Sequence, residues 1–414
     1  NLKIIPDQSH TFSKAHHQYP KGISPKLALK SKGTKIFTEL GEYTDWSMGL
    51  GPVIKGYGFK ELNEHVKSQI DIGYSYSLPS KYEFEIGEKL LDAINFGQQI
   101  RFARNGSDVT AAAVRLARYY TGKEKIICNG YHGWQDWYIG STARSRGVPK
   151  STQELSHAFE YNDLDSLDTV LNSHRGEFAA IVIEPMNISW PKSGFLESVQ
   201  ERARAVGALL IFDETITGFR FSNGGAQELF DVTPDLATFG KGLANGFPLS
   251  AVAGRADIMA EMEEVFFSFT MGGETLSLAA ALATLDKLCT HNVVNRLAAT
   301  GNAISKGLGS LIEKHGAASF AAISGHPSWS FFNLSDTGDY SSLDIKTLFM
   351  QEMHHQGILT VGTHNVSFAH NEEDVTRLLD AYDSVLPILV DAVKSCDLFE
   401  RLRCQPLVPL FKVR

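Results

Sequence analysis

Several features that would place a protein in a special class are scarce in these 414 residues. The four cysteines, Cys128, Cys289, Cys396 and Cys404, lack the density of a disulfide scaffold and the CxxC spacing of a metal or redox site, so we expect free thiols. No apolar run approaches the roughly 20 residues that cross a bilayer. The net charge of -8 offers no basic field to a polyphosphate backbone. These absences predict a cytoplasmic protein that binds neither membranes nor nucleic acid.

The first twenty residues are polar and rich in histidine, which is unlike a secretory signal. The rest of the composition is that of an ordinary globular protein, with 43% hydrophobic and 21% charged residues. Internal repeats and low-complexity linkers are absent from the sequence. A chain of this length predicts two or three subdomains.

Strand-like and helix-like segments alternate through the middle of the chain. Apolar residues spaced three and four apart predict helices, and short apolar runs predict buried strands. The predicted helices cover residues 83–94, 108–120 and 197–206, and the predicted strands cover 125–128, 179–183, 208–212 and 236–239. This alternation predicts an α/β domain with a large, mostly parallel sheet, whose ligand lies beyond the carboxyl ends of the strands.

Three regions follow from this pattern. Residues 1–75 contain short segments broken by Gly and Pro, and we expect them to contribute to a small domain and to the site. Residues 76–297 form the predicted large cofactor-binding domain. Residues 298–414 form a predicted smaller α/β domain, with strands at 329–334 and 358–361.

One lysine, Lys241, lies between two glycines directly after a predicted strand. Glycine neighbours permit a tight turn and leave the amine unobstructed. Such a lysine is usually part of a solvated turn, but here two carboxylates also follow predicted strands, Asp213 after 208–212 and Glu184 after 179–183. Asp213 could hydrogen-bond a protonated pyridine nitrogen or could cap a helix. Since no metal-type cluster accompanies it, an organic cofactor is favoured over a metal ion.

Small residues open the predicted helix at 108–120. Asn105, Gly106 and Ser107 would expose backbone N–H groups and one hydroxyl to an anion, although the same residues also make a plain helix cap. Tyr131, after the strand at 125–128, could stack on a planar cofactor or belong to an aromatic core.

Taken together and in this order, the segments resemble the class III (fold type I) pyridoxal-5'-phosphate (PLP) dependent aminotransferases, from about residue 35 to 375. The resemblance implies Lys241 as the lysine that binds PLP as a Schiff base and then serves as general acid and base. It further implies Asp213 as partner of the pyridine nitrogen, Gly106 and Ser107 as phosphate ligands, and Tyr131 as the aromatic residue stacked on the ring.

The resemblance extends to residues at the edge of the cofactor. Thr270, in the segment 268–273, is similar to the family threonine that reaches the phosphate bound by the neighbouring subunit, which implies a homodimer with shared active sites. Glu184 is similar to the family's acidic residue near the ring, and a salt-bridge role fits it equally well.

Within the family, the chain resembles two branches. Residues 217–220 and 369–374 are similar to glutamate-1-semialdehyde 2,1-aminomutases, but Leu50 stands where that branch typically has Trp. Residues 104–108, 131–134 and 273–277 are more similar to transaminases of surface-polysaccharide synthesis, such as 8-amino-3,8-dideoxy-octulosonate transaminase. That branch implies L-glutamate as donor, a sugar-acid carbonyl as acceptor and a role in lipopolysaccharide synthesis.

Several choices stay open from sequence. Trp46, His132, His364 and Asn365 are candidates for substrate contact, each with an equally good structural role. A decarboxylase or racemase would share every cofactor residue, because it differs only in which substrate bond is aligned with the ring. The aminomutase and a non-catalytic PLP-binding sensor remain alternatives to the transaminase.

Overall fold

The computed structural model describes residues 4–408, except for the side chain of Cys289. The described chain divides into two compact units, residues 60–294 and residues 4–59 together with 295–408. The sequence predicts boundaries at 75/76 and 297/298, whereas the units meet at 59/60 and 294/295.

The described part of the chain contains strands and helices in alternation. The strands are β1 Ala28–Lys32, β2 Lys35–Thr38, β3 Gly41–Asp45, β4 Gln99–Ala103, β5 Lys125–Asn129, β6 Ser156–Ala158, β7 Phe178–Ile183, β8 Leu209–Glu214, β9 Leu236–Phe239, β10 Ser250–Gly254, β11 Ala321–His326, β12 Trp329–Leu334, β13 Ile358–Leu359 and β14 Thr363–Asn365. The α-helices are α1 Lys60–Ile72, α2 Lys81–Ile94, α3 Gly106–Thr121, α4 Asp136–Ile139, α5 Lys150–Gln153, α6 Leu164–Ser173, α7 Phe195–Ala205, α8 Ala226–Phe230, α9 Ala256–Met259, α10 Thr275–Thr290, α11 Val293–Lys314, α12 Ser342–His355, α13 Glu372–Lys394 and α14 Leu398–Arg401. Short 3-10 turns lie at Pro6–Gln8, Phe12–Lys14, His16–Gln18, Lys241–Ala244 and Ala260–Glu263.

The larger unit, residues 60–294, is built on a seven-stranded sheet in the order β4-β10-β9-β8-β7-β5-β6. All its strands are parallel except β10, which runs antiparallel to β4 and β9. Every residue of β7 and β8 is buried. Strands covered on both faces need continuous apolar runs, and the Phe-Ala-Ala-Ile-Val-Ile sequence of β7 supplies one. The predicted α/β fold with a mostly parallel sheet is confirmed.

Helix α3 packs against this sheet across β7, β9 and β10. Val109, Ala113 and Leu116 recur at helical spacing and are fully buried. The helix ends at Gly122, whose φ of 67° is the left-handed conformation that glycine adopts without strain. Because α3 begins at Gly106, shortly after the end of β4, its first turn lies at the carboxyl edge of the sheet.

The smaller unit contains two sheets, β1-β2-β3-β13 with four strands and β11-β12-β14 with three. Strand β13 runs parallel to β3, and β12 pairs antiparallel with both β11 and β14. The long helix α13 begins with a capping box formed by Asn371 and Asp374.

Within residues 4–408, no helix has the length and apolarity to cross a membrane. Cys128, Cys396 and Cys404 are free thiols, as predicted. The prediction for Cys289 falls outside the described side chains.

Candidate active site

Three ionisable residues lie at the carboxyl edge of the large sheet, at the ends of three adjacent strands. Glu184 directly follows β7, Asp213 lies near the end of β8, and Lys241 follows β9 after one residue. Asp213 is in register with Thr238 of β9, and the preceding Phe212 is in register with Ile183 of β7. Ligands of open parallel sheets bind at this edge. The topology thus brings together three residues that are up to 57 positions apart (241 minus 184).

Asp213 is the most constrained of the three. Its Oδ2 atom lies 2.8 Å from Nδ1 of His132, and its Oδ1 atom accepts hydrogen bonds from the Thr238 hydroxyl and the Thr215 N–H, each at 3.1 Å. Burial alone would raise the pKa of this carboxyl, but the hydrogen bond and charge of His132, together with hydrogen bonds from Thr215, outweigh burial and leave the pKa below its usual value. Asp213 is therefore held as a carboxylate inside the protein.

His132 is buried and contacts Asp213. Its Nε2 atom is 3.0 Å from the backbone carbonyl of Asn129, so that both ring nitrogens face oxygen acceptors. An imidazole can donate from both nitrogens only when it is protonated. The His132 and Asp213 side chains thus form a buried pair whose geometry suits a charge-assisted hydrogen bond.

Glu184 fixes the loop that follows β5. Its Oε2 atom accepts hydrogen bonds from the Tyr131 N–H at 2.9 Å and from Nδ2 of Asn187 at 2.8 Å. A Cβ at Gly130, where φ is +107°, would lie 2.5 Å from that oxygen. Burial raises the pKa of Glu184, and the nearby Asp213 adds to the increase. Only glycine at position 130 permits so close an approach of loop and carboxylate.

The same loop packs on the first turn of α3. A Cβ at Gly133, where φ is +102°, would lie 2.5 Å from Cβ of Ser107. The helix begins after Asn105, whose backbone N–H and side-chain amide both donate to the Asp108 carboxylate at 2.9 and 3.0 Å. The N-terminus of α3 and the loop with Tyr131 are therefore neighbours. The Tyr131 side chain is 52% exposed, and its ring meets Tyr138 edge-on at 5.7 Å.

Lys241 occupies a strained turn. Its φ of 39° is left-handed, which costs a residue with a Cβ about 1–2 kcal/mol. Such strain is concentrated at functional sites. Desolvation lowers the pKa of the Lys241 amine, Glu184 and Asp213 oppose the decrease, and Arg220 adds to it. The result is an amine that loses its proton more readily than an ordinary lysine.

A model of the class-III aminotransferases matches residues 20–379 of the sequence. The chain belongs to this family. Among its relatives is the 3-aminobutyryl-CoA aminotransferase of Cloacimonas acidaminovorans, which is 34% identical over 88% of this chain and 90% of that protein. The glutamate-1-semialdehyde 2,1-aminomutase of Syntrophobacter fumaroxidans is 33% identical over 87% of this chain and 90% of that protein.

Solved structures agree with this membership. The FumI protein of Sphingopyxis sp. MTA144, in its PLP internal aldimine form, superposes with a TM-score of 0.87 at 25% identity, over 98% of this chain and 96% of that one. The protein is a PLP-dependent enzyme of class III, as its sequence predicts.

The donor groups at the sheet edge fit this cofactor. PLP needs an amine to bind, a carboxylate for its ring nitrogen and N–H donors for its phosphate. Lys241 has an amine of lowered pKa, Asp213 is a buried carboxylate, and α3 presents its first turn at Gly106 and Ser107. All seven predicted cofactor residues, namely Lys241, Asp213, Gly106, Ser107, Tyr131, Glu184 and Thr270, lie in the larger unit of this aminotransferase, as does the predicted substrate contact His132.

Among these seven, Thr270 differs in its surroundings. It is exposed and lies in the irregular segment between the 3-10 turn at Ala260–Glu263 and α10. The family resemblance predicts that Thr270 contacts the phosphate bound by a neighbouring subunit, and the exposure of this residue is compatible with that prediction.

Three predicted substrate contacts, Trp46, His364 and Asn365, lie in the smaller unit. The backbone N–H of Asn365 donates to the Trp46 carbonyl at 2.9 Å, and the ring centroids of Trp46 and His364 are 6.1 Å apart. Both ring nitrogens of His364 are hydrogen-bonded, to Ser330 at 3.0 Å and Tyr382 at 2.9 Å. Burial lowers the pKa of His364 to about 3. These contacts make His364 a neutral core residue of that unit.

Sequence reasoning missed two contributors to the larger unit's site. Thr238 was part of a predicted strand, and its position in register with Asp213 could have indicated the hydrogen bond. Arg104 precedes the phosphate anchor and binds the segment that contains Thr270. No pattern in the sequence indicates that contact, because 167 positions separate Arg104 from Met271.

Proposed function

We propose that this enzyme is a transaminase in which Lys241 holds PLP covalently and then moves the proton of the reaction. The observation that carries the proposal is the position of a lysine of lowered pKa at the end of β9, next to the strand of Asp213. When bound, PLP withdraws the electrons released as the substrate C–H bond breaks. The Lys241 amine, once free, removes that proton and returns it to the adjacent position.

The other residues of the larger unit orient and charge the cofactor in this proposal. Asp213, held ionised by its partners, would pair with the protonated ring nitrogen. The first-turn N–H groups at Gly106 and Ser107, with the Ser107 hydroxyl, bind the phosphate. The half-exposed ring of Tyr131 would cover the cofactor, and Glu184 holds the backbone of that loop in place.

We assign the enzyme to a homodimer that shares its active sites. Exposed apolar side chains of the larger unit support this assignment, among them Phe266, Met271, Leu78 and Phe84. Apolar side chains that a folded chain leaves exposed are candidates for burial in a protein–protein interface. Thr270, which lies between Phe266 and Met271, is then the residue that reaches the phosphate in the partner subunit.

The substrates we propose are L-glutamate as donor and the carbonyl of an eight-carbon sugar acid as acceptor, in cytoplasmic synthesis of lipopolysaccharide. Leu50 supports this choice, because a smaller side chain stands where the aminomutases typically have an indole. In the smaller unit, Leu50 and Met48 have left-handed φ values of 76° and 43°, and Asp45 holds this loop through the N–H groups of Ser47 and Met48 at 2.7 and 3.1 Å. The backbone carbonyl of Trp46, in the same loop, accepts a hydrogen bond from the Asn365 N–H.

The second candidate is glutamate-1-semialdehyde 2,1-aminomutase, the activity named for several relatives at 30–34% identity. A mutase transfers the amino group within one molecule and needs no separate donor. Both candidates use the same cofactor residues, so the donor requirement is what distinguishes them.

The test is a single half-reaction with glutamate and no acceptor. We expect the visible absorbance of lysine-bound PLP to disappear and one equivalent of 2-oxoglutarate to form per active site. If glutamate leaves the spectrum unchanged and glutamate-1-semialdehyde is converted without any donor, the enzyme is a mutase. The Lys241→Ala protein is the control, since it lacks the proposed proton carrier.

A further inference from the structure

Three arginines hold an irregular segment of the larger unit by its backbone. Residues 266–274 lie between a 3-10 turn and α10 and form neither strand nor helix. Arg115 on α3 donates to the carbonyl of Phe266 at 2.9 Å, and Arg101 on β4 donates to that of Phe267 at 3.2 Å. Side chains thus replace the ladder of hydrogen bonds that regular structure would provide.

The third arginine, Arg104, binds the turn that immediately follows Thr270. Its Nε atom donates to the Met271 carbonyl, and its Nη2 atom donates to the carbonyls of Gly272 and Glu274 at 2.7 and 3.2 Å. Its Nη1 atom donates to the Pro248 carbonyl at 3.2 Å. The planar guanidinium therefore spans the whole turn, which a single ammonium group cannot do.

Glu274 anchors the other side of the same turn. It forms a salt bridge with Nη1 of Arg104 at 3.2 Å, and both side chains are largely buried, with exposures of 12% for Arg104 and 17% for Glu274. Its carboxylate also accepts from the Leu276 N–H at 2.5 Å and from the Ser277 hydroxyl at 2.7 Å, at the start of α10. The turn is thereby connected to β4 on one side and to α10 on the other.

We propose that Arg104 is a positioning residue whose effect on the cofactor is exerted in the neighbouring subunit, through the Thr270 segment. This inference rests on the proposed function, in which Thr270 binds the partner's phosphate. Arg104 also directly precedes the anchor at Asn105 and Gly106 of its own subunit. A role in its own site is therefore the competing explanation, and the two differ in which subunit loses PLP.

Hybrid dimers distinguish the two explanations. Two differently tagged chains are co-expressed, and the mixed dimer is purified by sequential affinity steps. In the first hybrid, one chain has Arg104→Ala and the other has Lys241→Ala. In the second hybrid, one chain has both substitutions and the other has none. Each hybrid keeps one intact Lys241, so the rate at which visible absorbance is lost during dialysis reports PLP retention at one known site.

In the second hybrid, the intact Lys241 depends on the altered turn, and we expect PLP to leave about tenfold faster than from a hybrid with Lys241→Ala alone. The first hybrid should match that reference. The inference would be overturned if PLP left the first hybrid faster than the reference while the second hybrid matched the reference. It would also be overturned if the first hybrid, the second hybrid and the reference all lost PLP at the same rate. Arg104→Lys should reproduce Arg104→Ala, because lysine cannot span the turn. Arg202→Lys, at a bidentate pair with Asp168, is the matched control and should change nothing.

The same two arrangements made with Thr270→Ala test the proposed function separately. Fast PLP loss in the second Thr270 hybrid together with normal rates in both Arg104 hybrids would reject the role of Arg104 and leave the shared site intact. Normal rates in both Thr270 hybrids of a proven dimer would instead reject the shared phosphate site itself. Thermal unfolding of each hybrid shows that the variants remain folded.

Discussion

Nδ1 of His132 lies 2.8 Å from Oδ2 of Asp213, and the two side chains are almost completely buried. A buried carboxylate without a partner would be protonated far more readily than one in water. The pair therefore explains how an aspartate inside the sheet can stay ionised and serve a cationic ring nitrogen. We therefore expect His132 to act on the cofactor through Asp213, as a positioning residue.

Replacing His132 by leucine should move the acid limb of activity to higher pH. The pKa of Asp213 is lowered by His132 against the effect of burial, so that loss of the imidazole raises this pKa and the ionised form disappears at a higher pH than in the wild type. We expect a fall in kcat of about 10- to 100-fold near neutrality, which becomes smaller as pH rises. The pH profile of kcat measures this.

His157→Leu, on the edge strand β6, is the control and should leave the profile unchanged. An unshifted acid limb in a folded His132→Leu protein would show that His132 does not set the ionisation of Asp213.

Gly133→Ala should weaken PLP binding. The new Cβ would lie 2.5 Å from Cβ of Ser107, in a left-handed backbone that disfavours alanine, so the loop or the first turn of α3 must shift. Gly122→Ala is the matched control, because its φ is also left-handed but nothing lies within 4 Å of the added atom. Both variants should lose about 1 kcal/mol of stability from backbone strain. Only Gly133→Ala should raise the Kd for PLP, measured by titration of the apoenzyme.

The stability of the enzyme should fall as pH rises through 7 because of Glu214. This carboxyl is fully buried and accepts from the N–H groups of Ala226 and Gln227 at 2.7 Å and from the Thr217 hydroxyl at 2.5 Å. Burial raises its pKa to about 7, above the value in an unfolded chain. The folded state therefore holds a proton that the unfolded state releases, and this stabilisation is full below the ordinary pKa of 4.5 and is lost progressively as the pH rises to about 7 and slightly beyond.

Between pH 6 and 8 the loss from this one group amounts to about 1 kcal/mol. Urea unfolding of the wild type and of Glu214→Gln at both pH values measures it. We expect the decrease to be smaller in Glu214→Gln by about that amount. An equal decrease in both proteins would show that Glu214 does not titrate in this range.

Much of the large sheet could be predicted from apolar runs, since strands covered on both faces have an unmistakable composition. The prediction for β9, residues 236–239, and for β12, residues 329–334, agrees with the structure. For β8 the predicted strand ends at Phe212, whereas the structure continues to Glu214. Two carboxylates within a strand contradict strand propensity, and tertiary partners such as Thr238 and His132 stabilise Asp213 there. The alternative that Asp213 caps a helix is wrong, because Asp213 lies within β8.

Other features depend on contacts that no local pattern contains. Helix α1, Lys60–Ile72, was not predicted, because only Leu62, Val66 and Gln69 are buried and the remaining residues are mostly polar. The bond between His132 and Asp213 joins residues 81 positions apart. The location of Lys241 and Asp213 at the carboxyl edge of the sheet could be predicted from the apolar runs before them, whereas the residues that contact them depend on how the chain folds.

The most direct test of this account is to reduce the enzyme with borohydride, which fixes PLP on the lysine that holds it, and to locate the modified residue by peptide mass spectrometry. We predict a single pyridoxyl group on Lys241 in the wild type and none in Lys241→Ala. Modification of another lysine in the wild type, or the same visible absorbance in Lys241→Ala, would contradict the assignment of Lys241.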